Sequence, residues 1–236
     1  MQEHRQHKGI ILPIVVSAAG LVMMSSIAYL LQTGRMSLLD ISAFKIVNFT
    51  FTMQLYVLPL SFLGLLFIFI YDRNAFRRFF KFRLKAGVDE GSDWQTLGPI
   101  IAIAFTAGTV MLMYFNVSTN HGAINNTFFK LFPLVILFAA TNAWTEEILS
   151  RFVIVAGLFG KMRPTLICWI SAVIFGIPHF LGTPNGVFGV LMSGLLGWLL
   201  AKSVIETKSL GWALFIHFLQ DIVIFGAGAM IVAGLI

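Results

Sequence analysis

Long apolar runs alternate with short polar breaks along this chain, and the lengths of the runs set the reading. Six stretches are nearly free of charge: about Ile10–Leu31, Phe51–Tyr71, Leu97–Phe115, Phe128–Gly160, Thr165–Leu181 and Val187–Val204. A seventh begins near Leu210 and runs into the apolar C-terminus. Each is close to the ~20 residues that a helix needs to cross a bilayer. Helices satisfy their own backbone groups there, so such runs are expected to be spans. The expected fold is all-α, a polytopic transmembrane helical bundle of about seven to eight spans. Residues 1–236 form a single integral membrane domain. The count turns on the last segment, where Gly226 and Gly228 offer a break into two short helices.

Composition strengthens this picture. The chain is 58% hydrophobic and only 11% charged, where a soluble domain is nearer a quarter charged. Its single cysteine, Cys168, lies in an apolar stretch; an internal disulfide and a cysteine metal cluster are both excluded. The formal net charge of +6 would suit nucleic acid, but its distribution argues for lipid. Basic residues gather in the tail 1–8, in 72–95, in 161–163 and in 202–208, while the alternate loops hold little beyond Arg35, Lys45 and Lys130. That is the positive-inside pattern of a multi-pass protein with a cytoplasmic N-terminus. Membrane lipids, and not nucleic acid, are the expected partners. The loop Asp72–Gln95 interleaves six basic residues with Phe76, Phe79, Phe80 and Phe82, as expected of a segment resting on anionic headgroups. His4 and His7 in the polar tail are expected to be solvated.

Charge inside the spans is sparse and ordered. Glu146, Glu147 and Arg151 fall within six residues of the fourth run, where each charge costs several kcal/mol unless paired or turned to water. Glu147 and Arg151 are four apart, share a helix face and are expected to pair. Glu146 lies about 100° further round the helix, which leaves it free for chemistry. His179 closes Phe175-Gly176-Ile177-Pro178-His179 near the end of the fifth run, where Pro178 frees the carbonyl of Ile174. His217 and Asp221 are four apart in the seventh, so the carboxylate is placed to fix the imidazole tautomer. Bundling the three segments would gather all six residues in one polar pocket. A carboxylate and an imidazole could activate water while a second imidazole stabilises an oxyanion. Glu146, His179 and His217 could instead bind a divalent metal such as zinc with an open position for water. A proton or ion path is the third alternative.

The ordered set Glu146-Glu147-x-x-x-Arg151, Phe175-x-x-x-His179 and His217-x-x-x-Asp221 resembles the CPBP family of intramembrane proteases. That family, also called ABI, groups CAAX prenyl endopeptidases with bacteriocin-processing and immunity proteins. The resemblance covers about 128–225, the expected protease core. It implies an intramembrane endopeptidase, prokaryotic in origin, acting on a membrane-associated peptide or protein substrate in the cell membrane. Glu146 and His179 would activate water, Glu147 and Arg151 would hold the site, and His217 with Asp221 would serve the oxyanion. The family is often called a metalloprotease; a metal-free, glutamate-dependent mechanism without a cofactor is the expectation here. The third motif more commonly ends in Asn, and here it ends in Asp221. Ser150 also stands before Arg151, where Phe is common. The alternative is a non-catalytic immunity or scaffold protein of the same family.

Overall fold

A computed structural model describes residues 2–85 and 92–235, with the backbone alone for 2–8. The expectation for His4 and His7 therefore lies outside the described side chains. The fold is an all-helical bundle with six helices long and apolar enough to cross a membrane. In chain order these are α1 (Gln2–Gln32), α2 (Lys45–Tyr71), α4 (Trp94–Thr119), the continuous run Asn126–Leu158, α8 (Gly186–Thr207) and α9 (Gly211–Gly234). Short α3 (Arg73–Phe79) follows α2. The run 126–158 contains α5 (Asn126–Glu147), a π-helical turn (Ile148–Phe152) and α6 (Val153–Leu158). The last segment is one unbroken helix despite Gly226 and Gly228.

The stretch expected as the fifth span is shorter than a crossing. Helix α7 covers Pro164–Gly176 and passes into a single 3-10 turn, Ile177–Phe180. Pro178 has no backbone N–H to continue the α-helical ladder, so the apolar run outlasts the helix. His179 consequently sits at a helix end inside the bundle.

The central element is the run 126–158. From Ile148 to Leu158 its side chains are buried almost without exception. Among lipid tails, burial gives little hydrophobic gain, and close van der Waals contact holds helices together. Small residues make that contact: a Cβ on Gly20 of α1 would meet Leu149 at 2.9 Å, and one on Gly64 of α2 would meet Val153 at 3.2 Å. Helices α7 and α8 form a tight hairpin on the other side, and α9 lies between α4 and α5.

One face of the bundle collects the start of α1, the end of α2, the turn after α6 and the start of α9. Tyr71 hydroxyl donates to Gly9 carbonyl, and Lys161 Nζ donates to Tyr71 at 3.0 Å. Asp72 caps α3 by accepting from Asn74 and Ala75 N–H. Helix α3 turns Phe79 inward and leaves Arg77 and Arg78 exposed. An extended strap, residues 80–85, then crosses the start of α9. Leu210 N–H donates to Lys81 carbonyl at 2.7 Å, Arg83 N–H to Ser209 Oγ at 2.8 Å, and Trp212 Nε1 to Leu84 carbonyl at 3.0 Å. Asp93 caps α4; the Thr96 hydroxyl and Gln95 N–H hold its carboxyl below the usual range. On the opposite face, the α4–α5 loop meets the end of α9, where Ala123 N–H donates to Met230 carbonyl at 2.8 Å.

Candidate active site

The polar centre is built on the helix 126–158 where it changes from α to π. A π turn carries one extra residue, and its looser backbone hydrogen bonding recurs at functional sites. Here it follows directly on Glu147. Side chains take up the displaced carbonyls. Ser150 Oγ donates to Glu146 carbonyl, and Ser171 Oγ of α7 donates to Ser150 carbonyl at 2.8 Å. Arg151 Nη1 donates to Ser150 Oγ. The serine that departs from the family pattern thus ties the π turn to the guanidinium.

The two adjacent glutamates have different surroundings. Glu147 is fully buried: Oε2 lies 3.2 Å from Arg151 Nε, and Oε1 lies 2.7 Å from His217 Nδ1. Glu146 keeps 16% of its side chain exposed. Its Oε1 accepts from Asn142 Nδ2 at 3.2 Å, while Oε2 lies 3.5 Å from His217 Nε2 and finds no hydrogen-bond partner among the described residues. Arg151 stacks its guanidinium on Phe175, 3.7 Å from the ring centroid. The negative face of that ring receives the cation where Nη2 has no hydrogen-bond acceptor.

Phe175 also packs both imidazoles, with centroid separations of 4.7 Å to His179 and 5.5 Å to His217. His179 Nδ1 lies 2.8 Å from Phe175 carbonyl. A carbonyl only accepts, so Nδ1 bears the hydrogen and Nε2 is the lone-pair nitrogen in the neutral ring. Glu146, His217 and Arg151 are the charged groups within electrostatic reach of His179. Asp221 Oδ2 lies 3.7 Å from His217 Nε2. The contact that fixes the His217 ring is therefore the shorter one from Glu147, where the sequence spacing pointed to Asp221.

All six residues singled out in the sequence converge on one place. Two that carried no sequence signal join them. Asn142, one turn before Glu146, donates from Nδ2 to Glu146 Oε1 and to Asp221 Oδ2 at 3.1 Å. Gln54 of α2 donates from Nε2 to Asn142 Oδ1 at 3.2 Å. Depth also becomes clear. At ~1.5 Å per residue, Glu146 lies about 18 Å along the helix from Leu158 and His217 about 9 Å from Gly211. Helix α7 starts near the same face, and fifteen residues bring it to His179 at a comparable depth.

A divalent ion needs three convergent donors. His217 Nδ1 faces Glu147 and His179 Nδ1 faces Phe175 carbonyl, which leaves the two Nε2 atoms as the nitrogens that a metal would take. Among the described residues, no group of three or more His, Cys, Asp or Glu side chains is placed to hold a metal.

No curated protein and no solved structure matches the chain. Residues 127–223 match the family model described as type II CAAX prenyl endopeptidase Rce1-like. That stretch is less than half of the chain, but it contains every residue of the polar centre except Gln54. The stretch from 127 to 223 is thus similar to that family, within a multi-pass membrane protein.

Proposed function

We propose that this chain is an intramembrane endopeptidase of the CAAX prenyl protease type, with 128–225 as its catalytic core. It hydrolyses a peptide bond in a membrane-associated substrate. The observation that carries the reading is the asymmetry of the glutamate pair: Glu147 is fully buried between Arg151 at 3.2 Å and His217 at 2.7 Å, while Glu146 stays 16% exposed with Oε2 no nearer than 3.5 Å to His217. A base needs such an oxygen within reach of the proton that it takes.

In this mechanism Glu146 Oε2 removes a proton from water while His179 Nε2 accepts a hydrogen bond from the same water. The oxygen attacks the scissile carbonyl carbon, and its electron pair moves to the carbonyl oxygen. His217 in its charged form donates from Nε2 to that oxyanion, with Nδ1 anchored by Glu147. Collapse of the tetrahedral intermediate breaks the C–N bond. The proton on Glu146 passes to the leaving amine, which restores the carboxylate. No metal takes part in these steps, and the N-terminus faces the cytoplasm.

The test uses purified protein in proteoliposomes with a fluorogenic prenylated CAAX peptide. Glu146→Ala, His179→Ala and His217→Ala are each expected to lower kcat by at least ~10²-fold, the usual worth of a positioned acid–base group. A chelator is expected to leave the rate of the unsubstituted protein unchanged. Full activity in Glu146→Ala would overturn the reading. Asp221 favours a second one. A carboxylate standing where the pattern more often has an amide suits a non-catalytic immunity or scaffold role, in which substitution of the polar centre would leave the phenotype intact.

A further inference from the structure

Asn142 stands between two carboxylates that face each other from different helices. Its two N–H bonds are both used, one toward Glu146 Oε1 at 3.2 Å and one toward Asp221 Oδ2 at 3.1 Å. The amide has one workable orientation. Turned over, it would aim its oxygen at two carboxylate oxygens, and it would meet the Gln54 Nε2 donor with its own N–H. Gln54, 7% exposed and anchored on α2, fixes that orientation by donating to Asn142 Oδ1. His217 Nε2 also lies between the pair, 3.5 Å and 3.7 Å from the same two carboxylates and without a hydrogen bond to either. The two carboxylates thus share Asn142 as their hydrogen-bond donor and His217 as the imidazole between them. Glu147 and Arg151 lie outside this group and already pair with one another.

We infer that Asn142, oriented by Gln54, is a positioning residue: it holds Glu146 Oε1 so that Oε2 points to the reacting water, and it keeps the Asp221 charge from displacing Glu146. This rests on the function proposed above. Without the amide, two like charges would share a poorly solvated space with no hydrogen-bond donor between them, an arrangement that burial makes expensive. The consequence is a specific coupling. Asn142 is essential because residue 221 is an acid. Once residue 221 is itself an amide, it can donate to Glu146 and make Asn142 dispensable.

The experiment compares the unsubstituted chain with Asn142→Leu, Asp221→Asn, the double variant and Gln54→Leu in the same proteoliposomes, with thermal unfolding in detergent as a second readout. Asn142→Leu is expected to lower kcat about 100-fold, as an ångström of misplacement can, with KM within about threefold. The double variant is expected to recover to within about fivefold of Asp221→Asn alone, a non-additivity that only interacting residues show. Gln54→Leu is expected to lose about tenfold in kcat, since the amide is then free to turn. If Asn142→Leu keeps its kcat, or if the double variant is no better than Asn142→Leu, the inference is overturned. If the unsubstituted chain does not cleave the peptide, the function proposed above fails for that substrate. The melting temperatures then decide the inference: a double variant that melts above the sum of the two single effects supports it, and simple addition overturns it.

Discussion

At the residue scale, the difference between Glu146 and Glu147 follows from what each oxygen meets. Glu147 and Arg151 are both fully buried and 3.2 Å apart. Removing one partner of such a pair leaves an uncompensated buried ion, at a cost of about 3–5 kcal/mol. Arg151→Met is therefore expected to lower the unfolding midpoint in detergent sharply. Glu146→Gln keeps its neighbours' hydrogen bonds and is expected to melt near the unsubstituted chain while losing activity. Equal destabilisation by the two substitutions would argue against the division of roles. This division was legible in the sequence, because a spacing of four on a helix assigns Arg151 to Glu147. Asn142 and Gln54 were not legible. Neutral amides leave no charge signature, and the contact joining them spans two helices far apart in the chain.

At the element scale, backbone detail places the side chains. The π turn after Glu147 left no mark in composition, since it shifts a hydrogen-bond register without changing hydrophobicity. The apolar run of α7 likewise reads as a span, because hydropathy counts residues and does not see that Pro178 ends the ladder. What seats Phe175 and His179 is the crossing of α7 on α8. A Cβ on Gly176 would meet Val190 carbonyl at 2.8 Å and Gly194 Cα at 3.1 Å. Both obstacles are backbone, so the helices themselves must part. Gly176→Val is expected to cost about 1–3 kcal/mol, the range for overpacking. It should also lower kcat more than tenfold, because Phe175 and His179 flank the glycine and move with α7. A variant that folds and retains its kcat would show that the α7–α8 contact does not set the site.

At the scale of the whole molecule, orientation decides which aqueous phase the site uses. Glu146 lies about 30 Å along its helix from Asn126 but only about 18 Å from Leu158. The polar centre is thus displaced toward the face that carries α3, the strap and Lys161. That face also holds most of the basic residues outside the spans, including Arg73, Arg77, Arg78, Lys81 and Arg83, while the opposite one has Arg35, Lys45 and Lys130. Each basic group near an anionic leaflet is worth ~1 kcal/mol, so the charge asymmetry favours this face on the cytoplasmic side. In a Cys168→Ala background, Asn120→Cys in the α4–α5 loop is expected to react with a membrane-impermeant maleimide in intact cells. Arg77→Cys on α3 is expected to react only after permeabilisation. The reverse pattern would place the shallow side of the site outside the cell, and water and substrate would then have to enter from the external leaflet, past a basic strap with no anionic surface to hold it.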